Sequence, residues 1–367
     1  MNGERVLYYL ERWSSGGIEA IITNILTSAH AGGFAPSADI IAHCVEDSIF
    51  TEKLTAIGVG IFELSGSLRA PKNARLFRDF IREHKYTVVH FNIFHGLSLK
   101  FAQIARKEGI PVRIAHAHGS GLGDGFAAKI KTVLSRLGAL LWLKDATKLI
   151  ACSEPAGKFL FKDKSFTVIP NGINAKRFAF SEERRESIRS ELMLGDSALI
   201  GHIGRFSSEK NHEFLLRAFA KTKMLIPDSK LLLLGEGELF EDMRSLAREL
   251  GILDSVIFKG AVSHPEDYLC AMDVFMLPSV FEGFGIAAVE AQASGLPIIL
   301  SDGVPRSVAI SESVKFLPLD SEDRWAEQAA AFISKKADRL GAEKAVAEHG
   351  FSIEDTARKI FTLYDQP

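Results

Sequence analysis

The feature that most restricts the fold of this chain is a regular alternation of short apolar runs with longer amphipathic segments. A first series of apolar runs comprises residues 5–10, 40–44, 87–91, 112–117, 148–152 and 166–169. Amphipathic segments with helical spacing, such as 18–29 and 97–107, lie between these runs. Runs of this length suit buried strands, and the amphipathic segments suit helices that cover a sheet. The alternation therefore predicts an α/β fold with parallel strands.

A cluster of turn-forming residues interrupts this alternation once, at Ile169-Pro-Asn-Gly-Ile-Asn174, and a charged surface helix is predicted after it at 181–194. A second series then follows, with apolar runs at 198–203, 230–234, 256–259, 273–277 and 297–301 and amphipathic segments at 214–222, 243–250 and 287–294. A chain of 367 residues also exceeds what one core usually serves. We therefore expect two doubly wound Rossmann-like domains, 1–172 and 173–351, and a last helix at 353–364.

Composition excludes several classes of protein. With 47% hydrophobic and 25% charged residues the chain is globular, and apolar runs such as 231–234 and 296–300 are far shorter than the ~20 residues of a membrane helix. The N-terminus has no cleavable apolar core, so we expect a cytoplasmic protein. Cys44, Cys152 and Cys270 are far apart and lack metal-ligand spacing, which predicts reduced, structural cysteines.

The charges are unevenly distributed. The first 170 residues contain 21 Lys and Arg against 15 Asp and Glu, and the remainder contains 23 against 31. Much of the positive excess lies in the segment 69–85, at Arg69, Lys72, Arg75, Arg78, Arg82 and Lys85. This segment has helical spacing, so it is either a helix on a membrane surface or the solvated face of an ordinary helix. Nucleic acid is not expected, because no recognition motif or aromatic stacking platform accompanies these charges.

Two loops of the first domain could carry chemistry. Gly16 and Gly17 follow the first strand and precede a helix, which permits close approach to a ligand but also occurs in purely structural turns. His116 and His118 would lie on one side of a strand, with His118 nearer its exit. A neutral or protonated His118 could donate a hydrogen bond to a leaving phosphate or a sugar hydroxyl. The alternatives are a structural histidine or a metal ligand, although no nearby carboxylate or cysteine completes a metal site.

In the second domain, the loop Gly204-Arg205-Phe-Ser-Ser-Glu-Lys210 follows a predicted strand. Arg205 offers a planar pair of donors and Lys210 a mobile point charge, so together they could hold a pyrophosphate. An ordinary surface loop is the alternative. Gly235-Glu-Gly237 follows the next strand and permits another close approach, and the segment 256–264 leads to a loop that could present backbone groups to a base.

The segment 279–297 combines two carboxylates, a glycine-containing turn and the start of a helix. Glu282 precedes the turn and Glu290 lies inside the helix, so both could bind the hydroxyl groups of one ligand. Between them the amide groups of Phe284, Gly285 and Ile286 would be unpaired donors of a first helical turn, which suits a diphosphate. The alternative is an ordinary amphipathic helix with surface glutamates.

Taken in order, these motifs resemble the retaining glycosyltransferases of family 4, over nearly the whole chain. The resemblance depends on Gly16-Gly17, Ala117-His118-Gly-Ser120, Ile169-Pro-Asn-Gly-Ile173, Gly204-Arg205 with Lys210, Gly235-Glu-Gly237 and the two glutamates. It implies the GT-B fold, in which two Rossmann-like domains face an interdomain cleft. The N-terminal domain, 1–172, would bind the acceptor and the C-terminal domain, 173–351, the nucleotide-sugar donor. The helix within 352–367 would pack back on the first domain.

The resemblance also implies roles for single residues. Arg205 and Lys210 would contact the donor diphosphate, Glu290 the ribose and Glu282 the transferred sugar, and His118 would lie beside that sugar and the leaving phosphate. The catalytic residues would be His118, Glu282, Arg205 and Lys210. The remaining donor-binding positions would be Gly16, Gly17, Gly204, Gly235, Val262 (through its backbone, to uracil), Gly283, Phe284, Gly285 and Ile286. Neither a cofactor nor a metal ion is implied, and the chain has no Asp-x-Asp element.

Within the family, the segment 290–297 and His116-Ala-His118-Gly-Ser120 resemble bacterial capsular and exopolysaccharide enzymes, which commonly extend a lipid-linked saccharide. The expected activity is transfer of a hexose from a UDP-sugar with retention of the anomeric configuration. Segment 69–85 would associate peripherally with the inner face of the cytoplasmic membrane. Where relatives often have a lysine-bearing acceptor loop, this chain has Arg12-Trp13-Ser14-Ser15, so the acceptor cannot be inferred from them. Two alternatives are a UDP-sugar 2-epimerase of GT-B fold and a non-catalytic nucleotide-sugar-binding scaffold.

Overall fold

A computed structural model describes residues 4–14, 16–46, 49–64, 71–121 and 125–365, with side chains for all of these except 71 and 125–128. The chain forms two compact units. The first unit comprises Met1–Gly172 together with Ile353–Pro367, and the second comprises Ile173–Ser352.

Strands and helices alternate through both units. The strands are Arg5–Trp13 (β1), Ser37–Val45 (β2), Gly60–Glu63 (β3), Val88–Ile93 (β4), Val112–Ala117 (β5), Lys148–Ala151 (β6), Thr167–Val168 (β7), Ala198–Ile203 (β8), Ser229–Leu234 (β9), Val256–Gly260 (β10), Val274–Leu277 (β11), Ile298–Ser301 (β12) and Val314–Leu317 (β13). The α-helices are Gly17–Ala31 (α1), Thr51–Thr55 (α2), Pro71–His84 (α3), Lys100–Lys107 (α4), Gly125–Trp142 (α5), Glu154–Phe161 (α6), Glu182–Glu191 (α7), His212–Leu225 (α8), Phe240–Glu249 (α9), Pro265–Ala271 (α10), Ile286–Ala293 (α11), Glu322–Lys335 (α12), Ala342–Val346 (α13) and Ile353–Phe361 (α14). Short 3₁₀ turns lie at Gly96–Leu99, Leu143–Asp145, Ser208–Lys210, Leu253–Ser255 and Arg306–Val308, and a π-type turn at Ala347–Phe351.

Each unit is built on one parallel sheet. The first sheet has seven strands in the order β3-β2-β1-β4-β5-β6-β7, and the second has six in the order β10-β9-β8-β11-β12-β13. The predicted α/β fold class with two doubly wound sheets is confirmed. In such sheets the order reverses beside the first strand of the unit, and ligands bind beyond the carboxyl ends of the strands. The loops that follow β1, β4 and β5 in the first unit, and β8, β9 and β11 in the second, are therefore the places to look for a site.

The last helix, α14, belongs to the first unit. It packs against α1, and Thr356 Oγ1 donates to the carbonyl of Pro170 at 3.0 Å. Just beyond α14, the hydroxyl of Tyr364 lies 2.9 Å from that of Tyr8 on β1 and 2.8 Å from Nδ1 of His90 on β4. Buried polar groups are costly unless they are paired, so these contacts hold the residues after 353 on the first sheet.

The basic segment 69–85 forms helix α3 from residue 71 onward, and Arg69 lies outside the described residues. The apolar face of α3 is directed inward, because Phe77 and Ile81 are buried. Arg78 and Arg82 pair with Glu108 at 3.3 and 2.5 Å. This arrangement is that of an ordinary helix with a solvated, ion-paired face, the second of the two predicted interpretations. Among the described residues, no helix is both long and apolar enough to span a membrane.

Arg339 is a buried cation that ties several segments of the second unit together. Its Nε donates to the carbonyl of Ser294 at 2.8 Å, and its two terminal nitrogens donate to the carbonyls of Leu269, Cys270 and Met272 at 2.8–2.9 Å. Burial lowers the pKa of Arg339 to about 10, which still leaves the guanidinium charged at neutral pH. The side chain thereby satisfies carbonyl groups at the ends of α10 and α11 that have no helical partner.

We expect Arg339→Met to lower the free energy of unfolding by about 2–4 kcal/mol, because it removes the donor to the buried carbonyls of Leu269 and Ser294, whereas Arg185 still donates to those of Cys270 and Met272. Urea denaturation followed by circular dichroism measures the change. Arg324→Met, at an exposed arginine 3.5 Å from Asp320, is the control and should cost less than about 1 kcal/mol. Equal losses in the two variants would contradict the structural role of Arg339.

Candidate functional site

The loops that follow β8 and β9 approach each other through glycines. A Cβ at Gly235 would collide with the carbonyl oxygen of Gly204, and one at Gly237 would lie 2.5 Å from the carbonyl oxygen of Phe206. Both glycines have positive φ, 138° and 156°, which side chains rarely tolerate. The amide of Gly235 also donates to the carbonyl of Gly260 at 2.8 Å, so the end of β10 joins the same cluster. The predicted close approach at 235–237 is therefore one of backbone to backbone.

An ion pair joins two segments that are far apart in the sequence. Lys210, in the 3₁₀ turn after β8, places Nζ 2.5 Å from Oε1 of Glu282, which lies after β11. Ser279 Oγ donates to the same oxygen at 2.7 Å. The backbones are joined as well, since the amide of Val280 donates to the carbonyl of Glu209 at 2.8 Å. The side chains of Lys210 and Glu282 remain 21% and 10% exposed, so a ligand could still contact the pair.

The start of α11 follows Glu282 closely in the sequence and presents unpaired amide groups. Gly285 precedes the first helical residue with φ 86°, a conformation that favours glycine. Within the described part of the chain, the amides of Phe284, Gly285 and Ile286 donate no hydrogen bond. Amides at a helix start carry partial positive charge and bind anions. The structure thus forms the helix start that the sequence predicts at 284–286.

Glu290 is the fifth residue of α11, and its carboxyl group has no hydrogen-bond or ion-pair partner among the described residues. The side chain is partly accessible. Burial raises the pKa of Glu290 to about 8; Arg177 opposes this shift and Glu266 adds to it. Arg177 is itself held by Glu266 through two hydrogen bonds of 2.7 and 2.8 Å. An unpartnered carboxyl in such surroundings is typical of a functional site.

Arg205 is more exposed than Lys210, the other cation predicted to bind a diphosphate. Its Nη2 lies 3.2 Å from Oε2 of Glu238, and both side chains are more than half exposed. An ion pair of this kind contributes little to stability, so Arg205 can exchange its partner for a ligand. Val262 lies in the loop after β10, where the neighbouring carbonyl of Ser263 accepts from Arg177 at 3.0 Å.

In the first unit, His118 follows β5 directly. Its Nε2 lies 3.0 Å from Oδ1 of Asn92, and its ring centroid is 3.9 Å from that of His116. Burial lowers the pKa of His118 to about 3, so the neutral ring is favoured over the protonated one. His116 faces His90, with Nδ1 and Nε2 3.1 Å apart. Among the described residues, no three His, Cys, Asp or Glu side chains are grouped as metal ligands would be.

The paired glycines begin helix α1. Gly16 caps the helix, and Glu19 folds back so that its Oε1 accepts from the amide and the hydroxyl of Ser14, both at 3.1 Å. A Cβ at Gly17 would meet nothing within 4 Å, so steric crowding does not require glycine there. Ser15 lies outside the described residues.

Sequence reasoning missed four residues of the second unit: Arg177, Glu238, Glu266 and Ser279. Ser279 lies in the segment that was already singled out, and Glu238 directly follows Gly237, so attention to polar neighbours of the motifs could have found both. Arg177 and Glu266 are 89 residues apart in the sequence, and no local pattern indicates that they meet.

Two family models match the chain in succession. The model described as Glycosyltransferase Family 4 matches residues 15–177, and the model described as Glycosyl transferases group 1 matches residues 183–348. The chain belongs to the family 4 glycosyltransferases. This confirms the resemblance that the ordered motifs predict.

Relatives and solved structures agree with this assignment. The Bacillus subtilis (strain 168) protein named "Putative glycosyltransferase EpsF" is 28% identical over 99% of this family 4 chain and 96% of its own length. A GDP-mannose-dependent alpha-(1-6)-phosphatidylinositol monomannoside mannosyltransferase of Mycolicibacterium smegmatis is 27% identical over 66% of this chain and 65% of its own. The crystal structure of Anabaena Alr3699/HepE in complex with UDP and glucose covers 100% of both chains with a TM-score of 0.83 at 18% identity. The fold of this family 4 glycosyltransferase is therefore GT-B.

The raised pKa of Glu290 predicts how stability depends on pH. The folded protein holds the Glu290 proton more tightly than the unfolded chain, whose glutamates titrate near 4.5. The resulting stabilisation is complete below that pH and is lost as the pH rises through about 8. We expect Glu290→Gln, which stays neutral, to gain up to about 4 kcal/mol over the wild type between roughly pH 5 and pH 9.

Urea denaturation of the ligand-free protein across this pH range measures the difference. Glu213→Gln removes an exposed carboxylate on α8, 2.9 Å from Arg217, and should show the pH dependence of the wild type. Parallel pH profiles for the wild type and Glu290→Gln would rule out a strongly perturbed carboxyl group.

Proposed function

We propose that this glycosyltransferase moves a hexose from a UDP-sugar to a lipid-linked saccharide with retention of the anomeric configuration. The observation that carries the proposal is the second unit's combination of unpaired amides at 284–286, the Lys210–Glu282 ion pair and the unpartnered carboxyl of Glu290. These are the groups needed for a diphosphate, a sugar and a ribose, respectively. On this proposal the second unit binds the donor, and the first unit contributes His118 and the acceptor site.

The diphosphate is bound by amides and cations. The amides of Phe284, Gly285 and Ile286 donate to phosphate oxygens at the positive end of α11. Lys210 has three N–H groups and uses one of them on Glu282, so others remain for a phosphate oxygen. Arg205 leaves its weak pairing with Glu238 and adds a planar, two-pronged contact. Together they neutralise the charge that develops on the leaving nucleotide.

The two glutamates bind hydroxyl groups. Glu290 accepts from the ribose, and the hydrogen bonds replace the water that burial has removed from its carboxyl group. Glu282, held by Lys210 and Ser279, accepts from a hydroxyl of the transferred sugar. Gly204, Gly235 and Gly283 allow the backbone to approach the donor, and the backbone of Val262 contacts the base. Uracil is favoured because the Anabaena protein of the same fold is in complex with UDP, although the mycobacterial relative is GDP-mannose-dependent.

Transfer proceeds on one face of the sugar. The bond from the anomeric carbon to the phosphate oxygen breaks, and its electron pair leaves with UDP. The acceptor hydroxyl attacks the oxocarbenium-like centre from the same face, and its proton passes to the departing phosphate. The neutral ring of His118, oriented by Asn92, forms a hydrogen bond beside the transferred sugar. The backbone contacts between the two glycine-rich loops and the Lys210–Glu282 ion pair keep the donor groups preorganised.

Two relatives support the proposed acceptor and pathway. EpsF resembles this chain over nearly its entire length, which favours a role in exopolysaccharide or capsule synthesis. The mycobacterial relative acts on a phosphatidylinositol monomannoside, a lipid-linked saccharide, and the same class of acceptor is proposed here. Such an acceptor would bring the enzyme to the cytoplasmic face of the membrane.

We expect Lys210→Met and Arg205→Gln each to lower kcat/KM at least about 100-fold, because each removes charge stabilisation from the leaving diphosphate. Release of nucleotide from a panel of UDP- and GDP-sugars, with membrane extract as acceptor source, measures transfer. Lys221→Met removes a half-exposed cation 3.3 Å from Asp323 and should leave transfer unchanged. Wild-type turnover in Lys210→Met or Arg205→Gln would reject the assigned roles.

The same assay, followed by NMR of the product, tests the mechanism. We expect the anomeric configuration of the donor in the product and no loss of rate with EDTA. A product with inverted anomeric configuration would overturn the one-face path. A product formed only from a GDP-sugar would overturn the assignment of UDP as the donor nucleotide. Epimerised donor without acceptor would indicate the 2-epimerase, and UDP binding without any product from every extract would indicate a scaffold.

A further inference from the structure

Helix α5 of the first unit shows an inverted polarity. Its large aliphatic side chains point outward: Ile130, Val133, Leu137, Leu140 and Leu141 are 46–79% exposed. On a helical wheel of 3.6 residues per turn these five fall within an arc of about 100°. We call them the outer face of α5. A surface helix of a soluble unit ordinarily turns such a face inward.

The closest contacts of α5 with its own unit are made at two small residues, Ser135 and Gly138. A Cβ at Gly138 would lie 2.6 Å from the carbonyl carbon of Gly96, so the helix backbone touches the 3₁₀ turn at 96–99 directly. Ser135 is buried, and its hydroxyl accepts from the amide of Gly96 at 2.9 Å. The contacts of Ser135 and Gly138 with Gly96 fix the rotation of α5 about its axis, and in this rotation the aliphatic residues face away from the unit. The exposed face is therefore a built feature of the helix and not the result of a loose attachment.

Charge identifies the kind of partner. The segment 125–144 contains four basic residues, Lys129, Lys131, Arg136 and Lys144, and no Asp or Glu. Lys129 and Arg136 are exposed and border one edge of the outer face on the helical wheel, whereas Lys131, also exposed, lies away from it. An aliphatic stripe with basic residues along its edge is the pattern of a helix that lies in the interface of an anionic bilayer. A second copy of the chain would bring the same basic residues against each other, which disfavours a symmetric dimer through this face.

We propose that the outer face of α5 docks this enzyme on an anionic lipid surface, with the aliphatic residues among the acyl chains and the basic residues at the headgroups. The inference deepens the proposed function, because it depends on the lipid-linked acceptor for its purpose. It assigns membrane contact to α5 and not to the basic helix α3, whose Phe77 and Ile81 are buried within the unit.

Vesicle flotation of the full-length protein tests the proposal, with vesicles of equal parts phosphatidylglycerol and phosphatidylcholine compared with pure phosphatidylcholine. We expect the wild type to float with the anionic vesicles, and Leu137→Gln/Leu140→Gln to bind at least tenfold more weakly. Leu340→Gln is the matched control, because Leu340 is 77% exposed and Leu140 is 79% exposed. It should bind as the wild type does.

A charge variant separates the two parts of the interaction. Lys129→Gln/Arg136→Gln should weaken binding to the anionic vesicles on the order of tenfold, and added salt should reduce the difference. Arg244→Gln/Arg248→Gln on α9, which removes the same charge from exposed positions, should change nothing. Circular dichroism melting confirms that each variant is folded.

Three outcomes would overturn the proposal. The first is a folded wild type that floats with neither kind of vesicle, and the second is unchanged vesicle binding by Leu137→Gln/Leu140→Gln. The third is a wild type that does not bind vesicles but sediments as a dimer, while Leu137→Gln/Leu140→Gln sediments as a monomer. The vesicles contain neither donor nor acceptor. Failure of vesicle binding is therefore distinguishable from failure of the proposed sugar transfer, which is measured by nucleotide release.

Discussion

The second unit depends on how closely the loops after its strands approach one another. Gly235 and Gly237 bring the loop after β9 against the backbone of Gly204 and Phe206, and Lys210 reaches Glu282 at 2.5 Å. These contacts fix the positions of the cations and carboxylates before any ligand binds. Electrostatic catalysis benefits from such preorganisation, because no energy is then spent on turning dipoles during the reaction.

Two glutamates only eight positions apart have been given different environments. Glu282 accepts hydrogen bonds from Lys210 and Ser279, whereas Glu290 lacks a partner among the described residues and has a pKa raised to about 8. Environment, and not residue type, therefore distinguishes the two carboxyl groups. One is suited to hold a fixed position, and the other to respond to a ligand that donates hydrogen bonds.

Much of the fold follows from the sequence, because strands such as β5 and β8 are buried apolar runs and their predicted ranges, 112–117 and 198–203, agree with the structure. The short edge strand β13 was missed, since four residues with a lysine among them give little periodic signal. Helix α5 was missed although its aliphatic residues recur at helical spacing, and a periodic pattern does not show that the apolar side of this helix faces outward. At the site, contiguous motifs located the helix start at 284–286, but the pairing of Lys210 with Glu282 and of Arg177 with Glu266 joins distant segments that no local pattern connects.

The route of the chain has a consequence for the order in which the protein is made. The second unit is continuous in sequence, from 173 to 352, whereas the first unit is completed only by α14 and Tyr364. Domains generally fold as units while they emerge from the ribosome. When residues 173–352 have been synthesised, all residues of the second unit are present. In the first unit, Tyr8 and His90 still lack their partner Tyr364 at that point. Until residues 353–365 emerge, the surface of β1, β4 and α1 that they cover stays open, so the first unit reaches its final packing only after the second unit has been synthesised.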